Sequence, residues 1–332
     1  MSGGCYYTHL AVGQSRLLLA RESLQKVIDD PSTPSSVKHR LSVVVEVLEF
    51  GNELGLNVGK RYRQFVDWPG DRIITAVMAT KRNTMEQHQF KFPLVGALPY
   101  KGFFDEQRAQ REATSLEARG YDTCLFSVPA YSTLGWFEDP VTGPMVRLGD
   151  YELVQTVLHE LVHATVFVHE DADFNESFAT FFSQEAMLQF ETHFQVATHF
   201  EERLETSRRF DQKLSRFREQ VIGLYRENRS PLDRKRERNE LEERFRKSLV
   251  GSFLSNEGIR DLRLNDACLA LARTYSSDFV RFSSILSRLK GDLRVLLRLA
   301  IEAEDSDEPL KYMETLVKAA GHTRNFSEEN AF

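Results

Sequence analysis

A chain of 332 residues with 41% hydrophobic and 28% charged side chains is long enough to bury a sizeable core, which excludes a mainly disordered or collagen-like polymer. Its formal net charge of -6 speaks against a dedicated nucleic-acid binder, and no uncharged apolar run reaches the roughly 18 residues that a membrane-spanning helix needs. Three cysteines, Cys5, Cys124 and Cys268, are too few and too scattered for a disulfide framework or a cysteine metal cluster, so a metal would have to be held mainly by His and carboxylate.

In chain order, the first 60 residues predict two helices. Leu17, Leu18, Leu19, Leu24 and Ile28 form one apolar stripe, Pro31-Ser32-Thr33-Pro34 a turn, and Leu41, Val44, Val45, Val47 and Leu48 a second stripe. From Asp71 the period changes: residues 73–79, 90–95 and 123–128 read as strands. Between them, residues 105–119 read as a helix with Asp105 near its N-cap. From Tyr151 onward the pattern is overwhelmingly helical. Two charged helices are expected over 193–229 and 233–250, broken at Asn228-Arg229-Ser230-Pro231. The basic run Arg234-Lys235-Arg236-Glu237-Arg238 has acidic residues within and around it and reads as a solvated helix face. The expected class is α+β, predominantly helical, with a small sheet ahead of the active-site helix. Its parts are N-terminal helices over 1–70, a catalytic core over 71–190, and a helical region over 191–332 that packs on the core without a convincing linker.

The chemistry concentrates in residues 151–179. Residues 153–168 are apolar on nearly all sides and predict a buried helix, into which the sequence inserts His159, Glu160 and His163. The histidines are four apart, so both imidazoles leave one face and can converge on a single ion, as the zinc motif H-E-x-x-H requires. Glu160 lies about 100° round the helix, placed to act as a base rather than as a third ligand. Burying three such side chains without partners would cost several kcal/mol, and a divalent cation is one partner that would serve.

Two residues compete for the third ligand position. His169 completes the metzincin spacing, but that arrangement wants glycine where this chain has Val166. Glu176 falls in the first turn of a helix expected to start near Asp173 and to present Phe174, Phe178, Phe181 and Phe182 on its apolar face. Small Ala179 leaves room for close helix approach, and Asn175 and Thr180 are candidates for orienting the ligands. Glu176 could instead simply favour the helix dipole.

His159-Glu160-Leu161-Val162-His163 followed by Phe174-Asn175-Glu176-Ser177-Phe178-Ala179 resembles the gluzincin pattern, H-E-x-x-H and then N-E-x-x-A on the next helix. More narrowly, the chain resembles a bacterial family of predicted zinc aminopeptidases. The matching blocks are Tyr6-Tyr7 with Gly13-Gln14, Phe92-Pro93-Leu94-Val95-Gly96 with Tyr100-Lys101-Gly102-Phe103-Phe104, Gly120-Tyr121-Asp122, and Ala130-Tyr131-Ser132-Thr133-Leu134-Gly135-Trp136-Phe137 with Asp139-Pro140. A weaker echo lies at Asn265-Asp266-Ala267 and Tyr275. The resemblance implies a zincin-like catalytic unit, His159, His163 and Glu176 as ligands of one zinc ion per chain, and Glu160 as general base. It also implies an edge strand for an extended peptide, for which 123–128 and 131–137 are candidates, and an oxyanion donor, for which Tyr275 and Tyr131 are candidates.

The expected activity is hydrolysis of a peptide or protein substrate by a zinc-activated water, as an aminopeptidase. The alternatives are an endopeptidase or a non-catalytic helical interaction protein with a structural metal. Among carboxylates that could hold a substrate amino group, Glu152, Asp105 and Glu106 lie in the relevant region. With no apolar segment ahead of Ser2-Gly3-Gly4-Cys5 the literal reading is cytoplasmic; the alternative is an envelope lipoprotein anchored through acylated Cys5 after removal of a leader. No nucleic-acid partner is expected, and contact with a membrane only through that lipid.

Overall fold

The structure, a computed structural model, describes residues 3–92, 96–128, 139–169, 171–194, 199–252, 254–273 and 278–322. The chain opens with α1 (Gly3–Leu19), β1 (Glu22–Ser23), α2 (Leu24–Asp29), α3 (Ser35–Leu54), β2 (Gln64–Val66) and β3 (Ile74–Lys81). Then come β4 (Phe90–Phe92), β5 (Gly96–Leu98), β6 (Tyr100–Phe103), α4 (Glu106–Ala118), β7 (Tyr121–Val128), β8 (Val141–Thr142) and α5 (Gly143–Arg147). From there the chain is helical: α6 (Asp150–His163), α7 (Ala172–Phe194), α8 (Phe200–Arg226), α9 (Pro231–Ser248), α10 (Asn256–Asp261), α11 (Asp266–Arg273), α12 (Phe279–Arg288), α13 (Leu293–Glu302) and α14 (Pro309–His322). Among the described residues helices predominate and the sheets are small, so the class is α+β, predominantly helical.

The main sheet has the order β6-β3-β7, antiparallel throughout, with Met78 opposite both Tyr100 and Cys124 and Ala76 opposite both Gly102 and Phe126. Side chains alternate across a sheet, so this register divides it into two faces. Val77, Ala79 and Phe103 pack with Ala109, Ala113 and Leu116 of α4, whose N-terminus is capped by Asp105 accepting from Gln107 and Arg108 N–H. Tyr100, Met78, Cys124 and Phe126 share the opposite face.

That opposite face carries a feature the cysteine count did not suggest. Cys124 of β7 is joined to Cys268 of α11 by a disulfide that spans 144 residues of sequence. The spacing could not show the pairing, because a strand and a distant helix meet only once the whole fold is formed. Asn265 Nδ2 donates to the Thr123 carbonyl (2.8 Å) beside the bond. Asp266, buried, accepts from Asn83 N–H (2.8 Å) and from the Tyr225 hydroxyl of α8 (2.6 Å).

The largest core lies among the helices. It joins α3, α6, α7, α12, α13 and α14 through Val44, Val47, Leu158, Leu161, Phe178, Phe182, Phe282, Leu296 and Met313, all at 2% exposure or less. α3 can lie close to α6 because it carries Gly51, where a Cβ would stand 3.2 Å from Leu161 Cδ1. It ends at Gly55, whose φ of 89° forms the left-handed cap. A separate cluster, including Phe217, Val221, Phe245, Leu249 and Leu269, holds α8, α9 and α11 together. The basic run on α9 is a solvated face only in part: Lys235 and Arg236 are exposed, Arg236 beside Asp233, whereas Arg238 pairs with Glu242 and packs over the Phe217 ring at 5.0 Å, because α9 lies against α8. Among the described residues no helix is long and apolar enough to cross a membrane.

Candidate metal centre

The helix expected over 153–168 is α6, and it stops earlier, at His163. Tyr151, Leu153, Val154, Val157, Leu158, Leu161 and Val162 are buried on its core side. Asp150 in the first turn suits the helix dipole and is paired with Arg40, and with His39 at 3.5 Å. At the other end, Thr165 Oγ1 accepts from Asn57 N–H (2.8 Å) and Asn57 Nδ2 donates to the Ala164 carbonyl (3.2 Å). This end of the dipole favours a cation, and it is where His159 and His163 leave the helix.

α7 starts at Ala172 with Asp171 as its cap, accepting from Phe174 N–H (2.9 Å), two residues before the expected Asp173. Asn175 sets the loop that turns α7 back on α6. Its Oδ1 accepts from Val168 N–H (2.8 Å) and its Nδ2 donates to the Val168 carbonyl (2.7 Å), so it holds the chain path rather than a ligand. Thr180, the other expected orienting residue, has a buried hydroxyl with no hydrogen-bond partner among the described residues. Phe174, Phe178, Phe181 and Phe182, expected on the apolar face of α7, are buried as their spacing predicts; Phe174, Phe178 and Phe181 stand against Phe282 of α12.

This packing brings Glu176 over the two imidazoles. His159 Nε2 and His163 Nε2 are 3.0 Å apart, His159 Nε2 lies 3.4 Å from Glu176 Oε2, and His163 Nε2 lies 3.5 Å from Glu176 Oε1. Three atoms about 2.0–2.1 Å from one tetrahedral ion stand about 3.3 Å from each other, so the donor set fits a zinc-sized cation. Among the described residues, this is the group of His, Cys, Asp and Glu able to hold a metal. His169 is not part of it: α6 has ended and the residue is exposed. Val166 is buried, and no glycine is needed to leave the helix.

The electrostatics of the cluster are mutual. Burial works to raise the Glu176 pKa, but hydrogen bonds from His159 and His163 outweigh it and hold the carboxyl well below the usual range. For His163, burial lowers the pKa and is outweighed by the hydrogen bond and charge of Glu176, with a further upward push from Glu160.

The charge of Glu160 also reaches two tyrosines. Tyr62 is 2% exposed and takes a left-handed φ of 56°, with a phenol pKa raised well above normal by burial first and then by Glu160 and Asp139. Tyr100 is 43% exposed, and its phenol is raised by burial first and then by Glu176 and Glu160. Tyr100 stands opposite Met78 in β6, within the block Tyr100-Lys101-Gly102-Phe103-Phe104.

The remaining expectations separate cleanly. Tyr275, Tyr131 and the candidate edge strand 131–137 lie outside the described residues. The other candidate strand is within β7, at an edge of the sheet, where Asn265 already occupies the Thr123 carbonyl. The three carboxylates considered for a substrate amine are engaged away from the cluster: Glu152 pairs with Arg203, Asp105 caps α4, and Glu106 pairs with Arg72 at 3.1 Å.

No curated protein and no solved structure matches the chain. A family model does match, over residues 5–309, which takes in both helices of the cluster and the main sheet. On that match the chain belongs to the family described as "Putative aminopeptidase".

Proposed function

We propose that the chain is a zinc metallopeptidase of gluzincin type that removes residues from the N-terminus of peptides. The observation that carries this reading is the convergence of His159 Nε2, His163 Nε2 and a Glu176 oxygen within 4.8 Å of one another, with Glu160 on the next position of the same helix. Two imidazoles and one carboxylate leave a fourth tetrahedral position for substrate chemistry, whereas a structural site closes all four. When bound, zinc would supply Lewis-acid polarisation of the scissile carbonyl and of the attacking water.

The chain's own residues do the rest. His159, His163 and Glu176 hold the ion. Glu160 takes a proton from the attacking water and passes it to the leaving amine, which needs no second acid. Substrate can be aligned by β6. Phe104 N–H donates to His9 Nε2 (3.1 Å), and the Gly102 carbonyl accepts from the Tyr6 hydroxyl (3.0 Å), so alternate residues of this strand turn their main-chain groups away from β3. α1 covers that edge at Gly102 and Phe104. By the same alternation the N–H and C=O of Tyr100 face outward, where no described strand pairs with them and an extended peptide can add.

The family description supports the exopeptidase reading. The Cys124–Cys268 bond supports a working place in an oxidising compartment, and so the envelope rather than the cytoplasm.

Metal analysis of protein purified without added zinc tests the reading, together with Glu160→Gln. The variant should keep stoichiometric zinc and lose at least about 10²-fold in hydrolysis of amino-acid anilides. Protein without stoichiometric metal would overturn the metallopeptidase reading. Cleavage restricted to N-terminally blocked peptides would make the enzyme an endopeptidase.

A further inference from the structure

We propose that α1 is a pH-sensitive strap on the β6 edge, fastened while the His9 imidazole is neutral and released when it is protonated. The strap needs neither metal nor substrate, so it stands or falls apart from the peptidase reading.

β6 is the outer strand of the main sheet, and two of its outward main-chain groups are met by side chains of α1. The Tyr6 hydroxyl donates to the Gly102 carbonyl (3.0 Å), and the Phe104 N–H donates to His9 Nε2 (3.1 Å). One donor and one acceptor thus stand where a neighbouring strand would have supplied its own. Three residues apart on a helix, Tyr6 and His9 share one face. The two halves of α1 are held differently. The second half is anchored: Leu17 is buried among Val66, Ile73 and Ile74, and buried Gly13 lies so close to the Phe104 ring that a Cβ would collide with it. The first half leaves Tyr7, Ala11 and Val12 exposed. It meets β6 through Tyr6, whose ring stands edge-on to Phe103 at 5.4 Å, and through His9.

A main-chain N–H can only donate, so His9 Nε2 carries no proton in this contact and the ring is the neutral tautomer with its hydrogen on Nδ1. Protonation puts a second N–H on the ring, facing that of Phe104, and the acceptor is gone. The surrounding charges do not hold an imidazolium in place. From the start of α4, Arg108 repels it. Asp105 attracts it, but already caps α4 by accepting from Gln107 and Arg108 N–H, and stands 3.7 Å from the Arg108 guanidinium. On β6, Lys101 is a second cation, placed over the Tyr6 ring and paired with Glu112 of α4 at 3.0 Å. α1 itself carries no acidic side chain, and its Arg16 lies over the Trp68 ring. Burial first and Arg108 second hold the imidazole below its ordinary value of 6.5. The contact is therefore complete above that value and is lost as the pH falls through the lowered one. Release uncovers the main-chain groups of Gly102 and Phe104, so the open edge lengthens from Tyr100 to the end of β6.

Site-resolved amide exchange on the full chain, expressed as protection factors at about pH 7.5 and about pH 5, tests the strap. The Phe104 protection factor should fall by about five- to tenfold in acid, the contribution of one net hydrogen bond. Amides in the first half of α1 should fall with it, and those of α3 should stay constant. The midpoint should coincide with the titration of His9 followed by its imidazole nitrogen shifts, which also report the Nδ1–H tautomer at neutral pH. His9→Gln replaces Nε2 by a carbonyl oxygen that accepts at every pH, and should abolish the step with protection kept high. His9→Phe keeps a ring without an acceptor, and should show the lower value at both pH values. A wild-type protection factor equal at both pH values, a step that survives in His9→Gln, or a midpoint apart from that of His9 would overturn the proposal. So would an equal fall in α3, which would mark loss of the whole fold rather than release of one helix.

Discussion

Asp211, partly buried on α8, has its carboxyl pushed up to about 6 by burial. Its unfolded value is near 3.8, so the folded chain resists ionising it. Stability is therefore complete below about pH 4, falls as the pH rises towards 6 and stays low above it. The gap between the two values caps the loss at about 3 kcal/mol, and partial exposure reduces it to about 1–2 kcal/mol. Asp211→Asn should raise the unfolding free energy from urea titration at pH 8 by that amount and leave it unchanged at pH 4; an equal difference at both pH values would refute the assignment. At this scale the sequence was informative where chemistry is written locally. His159 and His163 are one turn apart, and the helix period alone puts both on one face. Glu176 follows in the next helix, close enough for the two-helix packing to be foreseen. The pairing of Cys124 with Cys268 could not be found this way: it depends on an alignment of a strand and a helix far apart in sequence, to which neither spacing nor composition responds.

Between the two helices of the cluster, the loop over 164–171 decides where Glu176 stands. Asn175 closes that loop by gripping both main-chain groups of Val168, itself 4% exposed. Asn175→Ala would leave a buried N–H and a buried C=O without these partners, at about 1–3 kcal/mol each. The expected outcome is a loss of about 2–4 kcal/mol in metal-free unfolding, with weaker zinc retention because Glu176 is no longer held over the imidazoles. Unchanged stability would mean that the clamp contributes nothing. Element types were readable wherever an apolar period ran long, as in α3, α7 and α8. Boundaries were less so, for physical reasons. The stripe over Leu17–Ile28 reads as one helix, yet Glu22 and Ser23 leave it to pair with Phe65 and Gln64 of β2, far along the sequence. α7 continues to Phe194, because Phe190 and Phe194 extend its aromatic packing, so the charged hairpin begins only at Phe200.

Across the whole molecule, two hydrophobic clusters have to be held in one arrangement. The large one carries α6 and α7, on which His159, His163 and Glu176 converge; the smaller one, around Phe217, Val221, Phe245 and Leu249, belongs to the α8–α9 hairpin. α11 fixes the smaller cluster to the sheet, through Cys268 on Cys124, Asn265 on the Thr123 carbonyl, and Asp266 between Asn83 and Tyr225. Closing a loop of 144 residues removes much of the freedom of the unfolded chain, and such bonds contribute about 2–5 kcal/mol. Reduction followed by alkylation should therefore lower the denaturant midpoint. Its local effect should be uneven. Hydrogen exchange should quicken first in α8, α9 and α11, whose own core is small, while α6 and α7 stay protected by the larger cluster. Cys124 belongs to the sheet whose β6 edge we propose to align substrate, so loosening α11 should also reach that edge. Hydrolysis should fall while bound zinc remains, because the ligands sit on the helices that keep their core. Equal loss of protection in all helices, or release of zinc in step with activity, would show that the disulfide supports the molecule as one undivided unit.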